Sequence, residues 1–388
     1  MANTLDHPAR IAALDLLRGI AIVGTLASNI WVFMNPLGAW GLFTAADSME
    51  FAERALWALA NGKFLSLLAI LFGVGIEIQY QSSKRRMQSW YTRYLWRTAV
   101  LFMEGLIHYL LIFEWDVLMG YALVSVHVAY LVTLSTKAIR RWFTGFAAVS
   151  TAIVAFVTVG SLRGDGGLAV TGADTGTFMH GTWWDQVVDR VQYFALFRME
   201  TIVLIPFASA MFLGGILLMR SGFFTATDKA AVRRRWIWTE VCLPIGAAIT
   251  FRNLFAGTEF ALIDRYIAAP LIAVGIAALT VNLVQRGKAG RGIVGRGMSN
   301  VGRTALSSYI FQNVVASALC YGWGLGLAVR WNGAMPWSAV LLWALISVLF
   351  MVLSTLWLKR FRQGPAEFAM RRIAQAPFRH RRPAEAGR

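Results

Sequence analysis

Long apolar runs separated by short polar joints dominate the pattern of this chain. The runs are bounded by charged or turn residues and recur from near the N-terminus to near the C-terminus. A helix of about 20 apolar residues spans the hydrocarbon core of a bilayer. The pattern predicts an all-α polytopic bundle, one integral membrane domain over 1–388, with about ten transmembrane helices. The predicted spans are 11–35, 57–80, 94–113, 116–135, 139–160, 197–219, 236–256, 262–285, 300–328 and 337–358.

The composition agrees with a membrane protein, since 57% of residues are hydrophobic and only 15% are charged, against about 25% charged in soluble proteins. A net charge of +17 would also suit nucleic acid, but the basic residues cluster in short joints between apolar runs and in the tail 359–388. If ten helices alternate in direction, these joints fall on one side. The positive-inside rule then places both termini and the basic tail in the cytoplasm, and we expect no nucleic-acid partner.

Ionisable residues follow one stripe of the run from Trp90 to Tyr130, which we interpret as two helices joined by Glu114-Trp115-Asp116. The spacings within the stripe are four, seven and four residues, which keep side chains on one helix face. Such a stripe is costly in a bilayer unless it faces a wet cavity or partners. The stripe consists of Arg93, Arg97, Glu104 and His108, and the second helix returns Asp116 and Tyr121 towards it.

His108 is the candidate reactive group of this hairpin. Glu104 lies four residues before it, a spacing at which a carboxylate can orient an imidazole, and Asp116 lies in the following joint. Either carboxylate would make His108 a candidate general base. The structural alternative is a hydrogen-bonded core histidine. His127 lacks such neighbours, and the histidines and cysteines have no spacing typical of a metal site.

Two further predicted helices carry charges. In the first, Asp15 and Arg18 are one turn apart and can pair, and Asn29 returns to their face; Arg18 either binds an anion or only fixes the fold. In the second, Lys63 shares a face with Gly73 and Glu77. The alternative there is a glycine packing notch, with Lys63 reaching the surface.

Hydrogen-bonding residues line one side of the ninth predicted helix, where Tyr309 and Asn313 are four residues apart. They could face a polar cavity or join neighbouring helices. The other polar residues are less informative about function. We interpret Arg198 with Glu200, and Asp264 with Arg265, as surface pairs. Within the loop 161–190, Trp183 and Trp184 indicate an amphipathic interfacial segment.

Several segments together resemble the bacterial YeiB-like family of membrane proteins. They are LDLLRG followed by Asn29, GKFLSLLAILFGVG, YLWRTAVLFMEGLIHYLLIFEWDVLMGYAL, GRTALSSYIFQN and RQGPAEF, in the order of the family. That family is similar to the transmembrane acyltransferases, which include heparan glucosaminide acetyltransferase and glucan acyltransferases. The resemblance implies transfer of an acyl group from cytoplasmic acetyl-CoA or another acyl-CoA to an envelope hydroxyl or amine, in the bacterial inner membrane.

The resemblance implies that His108 acts as a general base or accepts the acyl group itself, with Glu104 or Asp116 orienting it. The residues expected to bind the donor are Arg18, Arg93, Arg97 and Lys63. The residues expected to line the cavity are Asp15, Asn29, Tyr121, Tyr309 and Asn313. The expected partners are the lipid bilayer and an envelope glycan or lipid acceptor, with a homodimer left open. The alternative function is a transporter or flippase for a lipid or small envelope precursor, which would use the charged stripe as a pathway.

Overall fold

The structure is a computed structural model that describes residues 11–36, 50–163, 176–255 and 260–378. Within these ranges the regular structure is helical, without a strand. The longer helices are α1 (Ala12–Met34), α2 (Phe51–Ala60), α3 (Lys63–Arg85), α4 (Trp90–Leu111), α5 (Leu118–Leu131), α6 (Thr136–Leu162), α7 (Trp183–Gln192), α8 (Thr201–Arg220), α9 (Lys229–Leu254), α10 (Ala261–Gln285), α11 (Ile293–Arg303), α12 (Ala305–Cys320), α13 (Trp337–Arg360) and α14 (Pro365–Gln375). One-turn helices cover Thr177–His180, Phe194–Phe197 and Leu327–Arg330.

Six helical stretches of the described chain are long and apolar enough to cross a membrane, which indicates a multi-pass membrane protein. They are Ala12–Met34, Phe51–Arg85, Thr136–Leu162, Phe194–Arg220, Ala261–Gln285 and Trp337–Arg360. Of the other predicted spans, α5 and α12 are apolar but only 14 and 16 residues long, and α4 and α9 contain several charged residues. Ten crossings and cytoplasmic termini therefore stay predictions, and residues 1–10 and 379–388 lie outside the described ranges.

Two helix boundaries differ from the sequence prediction. The second predicted helix, expected from residue 57, is divided because Gly62 has a φ of +73°, a conformation that glycine adopts without steric cost. The ninth, expected over 300–328, is divided at Thr304 and ends at Cys320. The amphipathic segment predicted around Trp183 is present as α7.

Glu367 of α14 explains why a new helix begins after Thr304. Its carboxylate accepts hydrogen bonds from the backbone N–H groups of Leu306 and Ser307, at 2.8 and 3.3 Å, and from the Ser307 hydroxyl. A carboxylate satisfies the free N–H groups of a helix start and favours its dipole. The RQGPAEF segment therefore caps the helix formed by the ALSSYIFQN segment.

Close backbone contact between α3 and α8 forms the centre of the bundle. A Cβ atom at Gly73 would lie 1.9 Å from the carbonyl oxygen of Phe212, and one at Gly215 would lie 2.1 Å from that of Ile70. Each glycine thus admits the backbone of the other helix. The packing-notch part of the alternative is confirmed for Gly73, but its other part is wrong, because Lys63 is buried and does not reach the surface.

An ion pair joins the same two helices, between buried Glu77 in the second half of α3 and the half-buried last residue of α8, Arg220. Arg220 Nε and Nη2 donate to the two carboxylate oxygens of Glu77, each at 3.0 Å. Arg220 Nη1 also donates to the carbonyl oxygen of Leu134, at 3.0 Å. Both Arg220 and Arg235 fall in the basic joint between the sixth and seventh predicted helices, but Arg235 is buried and bonds Asn282. Both arginines therefore stabilise helix packing.

We expect Glu77→Gln to lower the free energy of unfolding by about 3 kcal/mol, because it leaves the Arg220 guanidinium without a countercharge. Unfolding of the purified protein by denaturant in a fixed detergent measures this change. Glu240→Gln is the matched control, since Glu240 is exposed on α9 and should change stability by no more than about 0.5 kcal/mol. Equal effects of the two substitutions would contradict a stabilising role for the pair.

Candidate functional site

His108 lies in the last turn of α4, where its side chain is only 2% exposed. Its Nδ1 atom is 3.0 Å from Oδ1 of Asp116, in the turn that follows α4. The ring N–H does not point directly at that oxygen, so the contact is a close electrostatic approach and not a formed hydrogen bond. On the other side of the ring, Nε2 is 3.2 Å from Nδ2 of Asn313 on α12. The imidazole is thus held between a carboxylate and an amide.

These neighbours select one tautomer of the imidazole. A carboxylate facing Nδ1 favours the proton on that nitrogen. The neutral ring then has its lone pair on Nε2, where it accepts from the Asn313 amide. The carbonyl oxygen of the same amide accepts from Nδ2 of Asn29 on α1, at 3.4 Å. This chain of partners assigns the amide orientation and leaves Nε2 as the basic nitrogen.

The Asp116 carboxylate is fixed on the hairpin by groups other than His108. Its Oδ2 accepts from the backbone N–H of Met119 at 3.0 Å, in the first turn of α5. Its Oδ1 accepts from the Tyr309 hydroxyl at 3.4 Å. Gly105 of α4 permits this arrangement, since a Cβ there would lie 2.6 Å from the Met119 nitrogen and 3.0 Å from Oδ2 of Asp116. The hairpin closes tightly only because residue 105 has no side chain.

Glu104 does not contact the imidazole in the structure. One of its carboxylate oxygens, Oε2, is buried and has no hydrogen-bond partner among the described residues. Of the two carboxylates that the sequence offered for orienting His108, the structure brings Asp116 to the ring. The reason is geometric: Nδ1 faces the turn beyond α4, whereas Glu104 lies one helical turn in the opposite direction.

The four cations predicted to bind a donor do not form one cluster. We call the end of the bundle with residues 112–117 the turn end, and the opposite end, with α14, the tail end. Arg93 and Arg97 lie towards the tail end of α4: Arg93 stacks on the Phe378 ring at 4.6 Å and Arg97 is exposed. Arg18 contacts Asp15 at 3.7 Å, which confirms their pairing.

Lys63 lies apart from these arginines, at the start of α3 towards the turn end. Its ammonium is 2.7 Å from Oδ2 of Asp264, and both side chains are buried. The other oxygen of Asp264 accepts from the Thr250 hydroxyl. This ion pair joins α3 to α9 and α10, so it occupies Lys63 within the fold.

Of the predicted cavity residues, Asn29, Tyr309 and Asn313 reach the His108 neighbourhood. The rings of Tyr309 and His108 have centroids 5.2 Å apart. Tyr121 lies elsewhere: its hydroxyl donates to the carbonyl oxygen of Leu65 at 3.0 Å, and its ring packs edge-on against two phenylalanine rings. Asp15 lies near the other end of α1, with Arg18.

Several supposed surface charges are partly buried and make contacts between elements. Arg265 Nε is 2.8 Å from Glu200, and Arg265 Nη1 donates to the side chain of Asn61 at 2.9 Å. Arg265 therefore pairs with Glu200, not with Asp264 as the sequence suggested. Arg198 donates to the backbone carbonyl oxygens of Asp116, at 2.9 Å, and of Glu114.

Sequence reasoning also missed Arg190, which is 1% exposed and 3.4 Å from the buried carboxylate of Glu114. Two acids in the three-residue joint Glu114-Trp115-Asp116 were the available signal, because acids in an apolar setting require donors.

A further contact involves His127, whose Nε2 is 2.8 Å from the Ser209 hydroxyl. The Ser209 hydroxyl donates its one proton to the carbonyl oxygen of Ile205, so it accepts a hydrogen bond from Nε2 of His127. This hydrogen bond links α5 to α8.

Comparison with known proteins gives similarity along nearly the whole chain. The uncharacterized protein YeiB of Escherichia coli is 26% identical over 94% of this chain and 96% of its own length. The uncharacterized protein YxaH of Bacillus subtilis is 25% identical over 93% of each chain. A Bacillus acidopullulyticus protein, the uncharacterized 39.9 kDa protein in the amylase 3′ region, is 33% identical over 26% of this chain and 28% of its own.

Residues 218–377 match the family described as protein of unknown function DUF418. This range begins near the end of α8 and includes α12, with Tyr309 and Asn313, and the capping residue Glu367. It does not include His108 or Asp116, which belong to the part of the chain that aligns with YeiB and YxaH. Together the similarities support a YeiB-like family for this protein.

Proposed function

We propose that the protein is a membrane-embedded acyltransferase in which His108 is the general base. The observation that carries this proposal is the position of the imidazole, with Nδ1 facing the Asp116 carboxylate and Nε2 facing the Asn313 amide. A histidine oriented by a carboxylate through one nitrogen is suited to take a proton through the other. Burial of the ring excludes water from competing with an acceptor.

In the proposed reaction, Nε2 of His108 removes the proton from an acceptor hydroxyl or amine while that group attacks the carbonyl carbon of an acyl thioester. The new C–O or C–N bond forms as the C–S bond breaks. The leaving thiolate takes the proton from the His108 imidazolium and departs as the free thiol. Asp116 stabilises the imidazolium in between.

Asn313 has two roles in this scheme. Before the acceptor enters, its amide satisfies Nε2. When the acceptor hydroxyl replaces that contact, the amide N–H is free to donate to the oxyanion that develops on the thioester oxygen. Asn29 holds the Asn313 carbonyl oxygen and so keeps the amide directed at the reacting atoms.

The donor in this proposal is acetyl-CoA or another acyl-CoA, whose phosphates bind near Arg93 and Arg97 at the tail end. Arg97 is eleven residues before His108, so about 16 Å of helix separates them. The narrow chain between the CoA phosphates and the thioester would span this distance. The acceptor would enter from the turn end, which the charge pattern predicts to face the envelope side of the bacterial inner membrane.

We expect His108→Ala to reduce turnover of acetyl-CoA at least 100-fold, because a positioned base contributes about 10²–10⁴ in rate. Release of free CoA thiol by the purified protein measures turnover, and equilibrium binding of acetyl-CoA should be unchanged. His127→Ala is the matched control, since this histidine bonds Ser209 on another face of the bundle and its variant should keep wild-type turnover. Undiminished turnover in His108→Ala would contradict the proposal, as would a wild type that binds no acetyl-CoA.

The two carboxylates near His108 can be separated by isosteric variants. We expect Asp116→Asn to lower kcat about 100-fold without raising KM, because the amide no longer stabilises the imidazolium. Glu104→Gln should lower kcat less than tenfold, because Glu104 makes no contact with the ring. Steady-state kinetics over a range of acetyl-CoA concentrations provides both constants, and the reverse ranking would assign the orienting role to Glu104.

Donor binding near the tail end predicts a different kinetic effect. We expect Arg97→Gln to raise KM for acetyl-CoA about tenfold with little change in kcat, since one hydrogen bond to a charged group contributes about 1.5–3 kcal/mol. Lys229→Gln is the control, because it removes one exposed positive charge from α9. Equal KM values for the two variants would show that Arg97 does not bind the donor.

A further inference from the structure

Asp116 is presented by a turn and not by a regular helix. Residues 112–117 connect the end of α4 to the start of α5. Val117 accepts the first helical hydrogen bond of α5, from the N–H of Tyr121, but the carbonyl groups of Glu114 and Asp116 lie outside both helices. In the structure, two of these carbonyl oxygens, those of Glu114 and Asp116, accept hydrogen bonds from the guanidinium of Arg198. Arg198 follows the one-turn helix Phe194–Phe197 and comes from a distant part of the sequence.

The same guanidinium also touches the helix that carries His108. Its Cζ atom lies 4.2 Å from the centre of the Tyr109 ring, a cation–π contact. Arg198 therefore contacts both sides of the His108–Asp116 pair: the residue next to His108 in sequence, and the backbone of Asp116 itself. No carboxylate oxygen is within hydrogen-bond distance of its guanidinium among the described residues, and the two nitrogens that donate, Nη1 and Nη2, both bond the turn.

Packing alone does not hold this side of the turn. A cavity of about 30 Å³ lies against Trp115, Asp116 and Val117, and Arg198 forms part of its wall. A space of this size holds about one water molecule. Because side chains do not fill this space, the hydrogen bonds from Arg198 hold the backbone of Asp116 on this side, while Met119 and Tyr309 hold its carboxylate.

Arg190 secures the near side of the same turn. Its Nη1 and Nη2 donate to the carbonyl oxygens of Leu110 and Ile112, each at 3.2 Å, and Nη2 is 3.4 Å from the Glu114 carboxylate. The Tyr321 hydroxyl donates to the other oxygen of Glu114 at 3.1 Å. Arg190 thus fixes where the turn leaves α4, whereas Arg198 fixes Asp116.

We propose that Arg198 is a positioning residue, which holds the turn so that the Asp116 carboxylate stays beside Nδ1 of His108. A planar guanidinium can donate to two carbonyl oxygens at once while stacking on an aromatic ring, and an ammonium cannot reproduce that geometry. The catalytic consequence rests on the proposed acyltransferase function. The geometric consequence, the contact between Asp116 and His108, does not depend on it.

The test is Arg198→Lys in the full-length protein, with two measurements. The first is the pair of constants kcat and KM for acetyl-CoA. The second is the ¹⁵N NMR spectrum of protein labelled at the histidine ring nitrogens, in which the signals absent from His108→Gln belong to His108. We expect kcat to fall about tenfold with KM unchanged, and the His108 Nδ1 signal to shift as its contact with Asp116 loosens.

Arg235→Lys is the matched control. Arg235 is another buried arginine that donates to two backbone carbonyl oxygens, those of Phe223 and Ala226, but it lies at the start of α9, away from the turn. We expect this variant to lose thermal stability to a similar degree while the His108 signals and kcat stay unchanged. A merely structural role for Arg198 would give the same result in both variants.

Arg198→Gln keeps the test decisive if Arg198→Lys does not fold, because a neutral side chain avoids burying an unpaired ammonium. It should shift the His108 Nδ1 signal in the same direction, because an amide cannot donate to both carbonyl oxygens while stacking on the Tyr109 ring. Unmoved His108 signals in whichever of the two variants folds would overturn the positioning role. A wild type without acetyl-CoA turnover would overturn the proposed function only, because the NMR measurement would still decide whether Arg198 places Asp116 beside His108.

Discussion

Charges inside this bundle must find partners within the protein, because the hydrocarbon core of a membrane offers no water to solvate them. The structure meets this constraint with ion pairs between elements that are distant in sequence. Lys63 pairs with Asp264, Glu77 with Arg220, and Glu114 with Arg190. Each pair has additional hydrogen bonds, to a hydroxyl, a carbonyl or an amide. The arrangement of the helices therefore depends on the positions of these charged residues in the sequence.

The His108–Asp116 pair differs from the others in chemical kind. The other pairs join a carboxylate to a lysine ammonium or an arginine guanidinium, groups whose ordinary pKa values lie well above neutral. An imidazole can gain or lose a proton in that range, and here it has a carboxylate on one nitrogen and an amide on the other. This is why the proposed chemistry is assigned to this pair, while the remaining pairs are explained by packing.

The site is assembled from elements that are far apart in the chain. Asn29 comes from α1, His108 from α4, Asp116 from the turn, and Tyr309 and Asn313 from α12. The start of α12 in turn depends on the Glu367 cap from α14. Arg198 completes the arrangement from the segment before α8. Distant segments that resemble one family therefore converge on a single location.

Apolar periodicity along the chain was sufficient to predict an all-helical membrane bundle, since each helix follows from local spacing. The same local reasoning identified the stripe on α4, the Asp15–Arg18 pair and the Gly73 notch, because these depend on residues within a few turns of one helix or on the absence of a side chain. Local spacing did not determine which buried charges pair with each other across the bundle. The sequence offered both Glu104 and Asp116 as partners for His108, and the fold brings Asp116 to the ring. The family resemblance implied a donor-binding Lys63, which the fold pairs with Asp264. Only the tertiary structure decides such pairs, because a buried charge selects the oppositely charged group that packing brings nearest, and Lys63 and Asp264 are 201 residues apart.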